Sequence, residues 1–235
     1  MPRIDAGSVS SGRRGGARTP RTPSASGTAE RASGRFLLYV EGPRDRDILR
    51  VWSRRVAPRL TRIFDDRAVI LGGRRPARAV EHFRDSGGQE AGLRGLVVLD
   101  RDHHVETDDG LLAGAGLDIH TWGRRHIESY VLVPTAIRRL VGASADSPRL
   151  ERIIEEHFPE EGDEAAYRKI NAKRLLGNKG PLAQGLGRVL TPGALARSMR
   201  AEELHPDVVS LYRRIQSGVG ETERDLEVIR RPPAL

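Results

Sequence analysis

The chain has 235 residues, 37% of them apolar, which suffices for one good-sized core or one core with an appendage, since domains run to ~100–200 residues. It has no cysteine, so disulfides and thiolate metal sites are excluded and a reducing cytoplasm is the expected compartment. Its 40 basic and 32 acidic residues give a formal charge of +8, and no apolar run approaches the ~18–20 residues of a membrane span.

Much of that charge lies at the start. Residues 1–35 carry seven arginines against Asp5 and Glu30. Residues 1–34 are otherwise rich in Gly, Ser, Pro and Thr and lack the apolar middle of a secretory signal. Such a segment cannot bury enough surface to offset its ordering entropy, so a disordered basic leader is expected, either simply solvated or touching nucleic acid. From Phe36 the pattern alternates. "FLLYV" (36–40) reads as a buried strand, residues 44–57 as an amphipathic helix and "AVIL" (68–71) as a second strand. Residues 76–86, opened by Pro76, read as a helix, "GLVVL" (95–99) as a third strand and "LDIHTW" (117–122) as a fourth. Apolar strands interleaved with helices predict an α/β fold, a parallel sheet covered on both faces. After Pro134 helical signals dominate, including one long segment over 164–177. The expected division is therefore the leader, an α/β domain over 35–142 and a helical region over 143–235.

In such a sheet ligands bind beyond the carboxyl ends of the strands. Two ends carry acid there. The first strand runs into Glu41 and Gly42 with Asp45 shortly after, and the third runs into Asp100-Arg101-Asp102. Carboxylates meeting in one crevice repel unless a cation sits among them, and hard oxygen-liganded ions, Mg²⁺ or Mn²⁺, fit that need. Taken alone, each motif is equally a polar loop start or helix cap. "DRDHHVETDDG" lacks the glycine and terminal glutamate of an EF-hand. His103, His104 and His126 are weaker candidates for ligands or their supporting donors.

The combination "LLYVEGPRDRDIL", "GLVVLDRDHH" and "WGRRHIESYVLVP" resembles the Toprim domain of topoisomerases, primases and several nucleases, in its OLD-nuclease branch. The resemblance covers roughly residues 35–140 and implies a Rossmann-like parallel sheet. It places the family's acidic positions on Glu41, Asp45, Asp100, Asp102 and Glu128. Pro43-Arg44 stands where a lysine-containing turn is commoner, and Ser129 where asparagine is frequent. Tyr130 is expected to pack in the core rather than act as a topoisomerase nucleophile.

The chain has 37 arginines and only three lysines, all within 169–179. An ammonium is a compact charge that a guanidinium does not replace, and the resemblance assigns the family's important lysine to Lys173, with Lys179 second. What it implies is a divalent-metal-dependent nuclease, cutting phosphodiester bonds of DNA or RNA with two ions. Glu41, Asp100, Asp102, Glu128 and Lys173 would be catalytic, and Arg74, Arg75, Arg124, Arg125 and Lys179 would grip the strand. Small effectors of this type sit beside a separate ABC-type ATPase in antiphage systems. Since the sequence has no GxxxxGK[ST] element, an ATPase partner is implied, with the helical region as docking surface or homodimer contact. The alternatives are a non-catalytic Toprim-like nucleic-acid-binding or regulatory module and, more remotely, a haloacid-dehalogenase type phosphatase, whose DxD follows the first strand.

Overall fold

The computed structural model describes residues 35–101, 105–142 and 147–220; the expected leader lies outside them. Four parallel strands form one sheet: β1 (Phe36–Val40), β2 (Ala68–Ile70), β3 (Arg94–Leu99) and β4 (Asp118–Thr121), in the order β2-β1-β3-β4. The helices in chain order are α1 (Pro43–Val56), α2 (Thr61–Asp66), α3 (Pro76–Asp85), α4 (Val105–Gly114), α5 (Pro134–Val141), α6 (Ser147–His157), α7 (Glu164–Lys169), α8 (Ala172–Leu176), α9 (Pro181–Leu186), α10 (Pro192–Ser198) and α11 (Pro206–Val219). Short 3-10 turns cover Pro58–Leu60, Ile127–Val131 and Ala201–Glu203. This is the α/β architecture that the strand and helix periods predict.

The strands sort their side chains by the period of two. Leu38 and Val40 on β1, with Leu96 and Val98 on β3, join the larger core. Tyr39, Val97 and Leu99 point to the other face, against Ala79, Val80 and Phe83 of α3 and Leu112 of α4. Helix α1 turns Ile48, Leu49, Trp52 and Val56 inward, one helical stripe. The larger core then continues without a break into the C-terminal helices, through Leu175, Leu195, Leu211 and Ile215.

Helix α2 falls in a stretch for which no element is expected, and two further elements depart from the sequence expectation. The helix expected over 164–177 is two helices, α7 and α8, because Ile170 is extended and the Asn171 side chain accepts a hydrogen bond from Arg174 N, capping a new start. Helix α4 follows the DxD segment where no helix is expected; its glycines at 110 and 114 mask it, since Gly costs ~1 kcal/mol against Ala in a helix.

Candidate functional site

Strands β1 and β3 are neighbours, with Val40 opposite Val98, so the residues after them share one end of the sheet. The Asp100 N–H donates to Glu41 Oε1 at 2.8 Å, which ties the two acidic strand ends together. The Glu41 carbonyl also accepts from Gly72 and Gly73 N–H, both at 2.9 Å. Those glycines lie at φ 77° and 110°, a region side-chain-bearing residues avoid. The turn they make leads to Arg74, whose Nη1 donates to the Asp100 carbonyl.

Asp45 stands in the first turn of α1 and accepts from Gly42 N–H at 2.8 Å, so it serves as a helix cap as well. Glu128 comes from the 3-10 turn Ile127–Val131 and is 1% exposed. The same turn holds Asp100: Ile127 N–H donates to Asp100 Oδ1 at 3.1 Å. Lys173 reaches in from α8, its Nζ donating to Asp100 Oδ2 at 2.8 Å and lying 3.9 Å from Glu128 Oε2. Arg44 approaches Glu128 Oε1 at 3.4 Å. Glu128 Oε2 is buried and accepts no hydrogen bond among the described residues, a costly state for a carboxylate oxygen.

The electrostatics carry the mark of this crowding. Burial, then the charges of Asp100 and Glu128, push the Asp45 carboxyl up to about 7 against its Gly42 hydrogen bond. Burial and Asp100 raise Glu41 as well, against its bond from the Asp100 N–H. Burial pulls Lys173 down, yet its hydrogen bond to Asp100 and the surrounding carboxylates win and raise it, so it is an ammonium at neutral pH. His126, 6% exposed, is lowered by burial first and by Lys173 second.

Glu41, Asp45, Asp100, Glu128 and Lys173 are thus brought into one field. Their oxygen donors suit a hard divalent cation in chemistry, and Glu128 Oε2, with the Lys173 ammonium at 3.9 Å and no hydrogen bond, is where such an ion would relieve a cost. Among the described residues, however, no three His, Asp or Glu side chains are grouped as a finished metal site. The positive charge in the cluster comes from Lys173 and, at Glu128 Oε1, from Arg44. Asp102, His103 and His104 lie outside the described residues.

The expected strand-gripping arginines are placed unequally. Arg124 is buried, at 8% exposed, and committed to the fold. Its Nε and Nη2 bind the two oxygens of Glu164 at 2.9 and 2.8 Å, and its Nη1 binds the Ser129 carbonyl at 2.9 Å. The guanidinium also lies over the rings of Tyr167 and Tyr130, at 4.2 and 5.0 Å. A free phosphate grip needs the opposite. Arg125 is half-buried, Arg74 is turned to Asp100, and Arg75 and Lys179 are exposed. Tyr130 is in the core, its hydroxyl donating to Asp207 Oδ2 and accepting from Arg124 N–H at 2.9 Å.

Sequence reasoning passed over Glu164, Asp207 and Arg197. Glu164 and Asp207 clamp the segment before Glu128 from the C-terminal helices, Asp207 also accepting from Gly123 N–H at 2.9 Å. Arg197 lines an open groove of about 540 Å³ that begins at Glu128 and Lys173. Only tertiary contact places these residues, and no local spacing announces them.

No protein-family model matches the chain, and no curated protein matches it. Solved structures to which it is similar include the C-terminal region of the OLD protein of Xanthomonas campestris pv. campestris. The structure phased with iodine is 15% identical, with TM-score 0.44, over 79% of this chain and 96% of that one. The structure phased with mercury gives 16% identity and TM-score 0.44 over the same shares. Among the described residues, no helix is long and apolar enough to cross a membrane.

Proposed function

We propose that this protein is a divalent-metal-dependent nuclease that hydrolyses phosphodiester bonds of DNA or RNA. The observation that carries this is the convergence of Glu41, Asp45, Asp100 and Glu128 around one ammonium, with a buried Glu128 oxygen accepting no hydrogen bond. Buried carboxylates are normally hydrogen-bonded and balanced by charge; four carboxylates against one ammonium and the Arg44 guanidinium leave surplus negative charge, which suits a cation.

Glu41, Asp45, Asp100, Asp102 and Glu128 would hold Mg²⁺ or Mn²⁺, which when bound supplies a hydroxide-like nucleophile at neutral pH and stabilises the leaving oxygen. The chain's own groups do the positioning. The Asp100 N–H fixes Glu41, and the Ile127 N–H fixes one oxygen of Asp100. Lys173, with its proton held firmly by Asp100, is an electrostatic partner for negative charge building on the phosphoryl group rather than a base. The residue resemblance to the OLD branch extends the proposal to an ABC-type ATPase partner and an antiphage role.

The test is cleavage of plasmid DNA, single-stranded DNA and a tRNA pool by the full chain with Mg²⁺, Mn²⁺ or EDTA. Cleavage that needs metal and falls more than about 100-fold in Asp100→Asn is expected, since even residues that only support metal ligands cost ~10–100-fold. Cleavage that survives EDTA or Asp100→Asn overturns the reading. Salt-sensitive binding with neither cleavage nor metal uptake leaves the non-catalytic module in its place.

A further inference from the structure

The groove that starts at Glu128 and Lys173 is of mixed chemistry. Its volume of about 540 Å³ lies in the ~300–1,000 Å³ range of ligand sites. Its apolar lining is open at Pro43 of α1 and Val189, while Ile48 of α1 and Leu176 of α8 belong to the buried core beneath the surface. Val189 is 45% exposed, one of two large apolar side chains so exposed among the described residues. Basic groups frame the same space: Arg44, with a side chain 62% exposed, and Arg197, also exposed. Arg197 Nη1 lies 3.6 Å from where a Cβ on Gly193 would stand, so the guanidinium lies along the backbone at the start of α10. The one acidic rim residue, Asp47, is turned to Arg46, at 3.0 and 3.2 Å.

Apolar wall, basic frame and a carboxylate cluster at one end match an unpaired nucleotide. Its base offers apolar faces that a duplex keeps stacked, and its phosphates need cations on either side. A duplex backbone would use the arginines and leave Pro43 and Val189 facing water.

We infer that this groove seats an unpaired nucleotide of the strand next to the phosphate to be cut, its base against Pro43 and Val189 and its phosphates between Arg44 and Arg197. The inference rests on the nuclease reading and narrows its substrate to single strands, loops or frayed ends. DNA and RNA share this chemistry, and the two are separated by the strands used as probes.

The experiment measures binding of the full chain to labelled single-stranded DNA, single-stranded RNA and duplex DNA by fluorescence anisotropy. Asp100→Asn serves as background so that strands are not cut, with Val189→Asp and Arg197→Ala added to it singly. Unpaired strands are expected to bind more tightly than duplex, and each added substitution to weaken that binding about tenfold while thermal unfolding stays unchanged. Equal binding of duplex and unpaired strands, or binding indifferent to both substitutions, overturns the inference. The nuclease reading then survives if the wild-type chain still cuts with Mg²⁺. Neither cleavage nor binding overturns both.

Discussion

Arg124 and Glu128, four residues apart, show how little a residue's type says about its role. The sequence resemblance places Arg124 beside the catalytic glutamate as a cation for the substrate, yet it is buried with both carboxylate oxygens of Glu164 and stacked on Tyr167. Lysine cannot reproduce a bidentate, stacked guanidinium. Arg124→Lys is therefore expected to lower stability by about 2 kcal/mol and to lower cleavage with it, because Arg124 also holds the Ser129 carbonyl next to Glu128. Arg125→Ala should change stability by less than about 0.5 kcal/mol. Chemical denaturation of the two variants checks this, and equal stability would remove Arg124 from the frame of the site. Glu41, Asp45 and Asp100 were legible in the sequence because each follows an apolar strand. The burial of Glu128 was not, since a 3-10 turn of five residues leaves no periodic signature.

At the scale of elements, the strands and the first helices follow from periodicity, while the C-terminal half depends on breaks that composition hides. The turn after α8 is one of these. A Cβ on Gly180 would lie 2.3 Å from the Arg174 carbonyl oxygen and 2.4 Å from that of Leu175, closer than any side chain is tolerated. Those carbonyls belong to α8, the helix that carries Lys173 and packs against the Ile127–Val131 turn. Gly180→Ala should displace α8, cost about 1–3 kcal/mol and reduce cleavage by more than the stability loss explains. A measurement at a temperature where the variant is fully folded separates the two. Full activity there would show that Lys173 does not depend on this turn. Asn171 made the start of α8 readable in principle, because an Asn ahead of a helical run is a cap signal; the apolar pattern running through it concealed the break.

Across the whole molecule, one apolar core joins the sheet to the C-terminal helices, and the candidate site draws on both. The sheet supplies Glu41 and Asp100, and the helical region supplies Lys173 and the clamps Glu164 and Asp207. Such long-range supply cannot be read from spacing, which is why the sequence yielded the acidic set while the clamps and the groove came only with the fold. The central claim is that this assembled cluster takes a divalent cation. Its most direct measurement is a titration of the full chain with Mn²⁺, followed by the ion's magnetic resonance signal, for wild type and Asp100→Asn. Since burial and neighbouring charges hold the Asp45 carboxyl at about 7, a cation binding there must displace its proton, and affinity should rise between about pH 6 and pH 8. Saturable Mn²⁺ uptake that tightens with pH and is lost in Asp100→Asn is the predicted result; a wild-type chain that takes up no Mn²⁺ at any pH would contradict it.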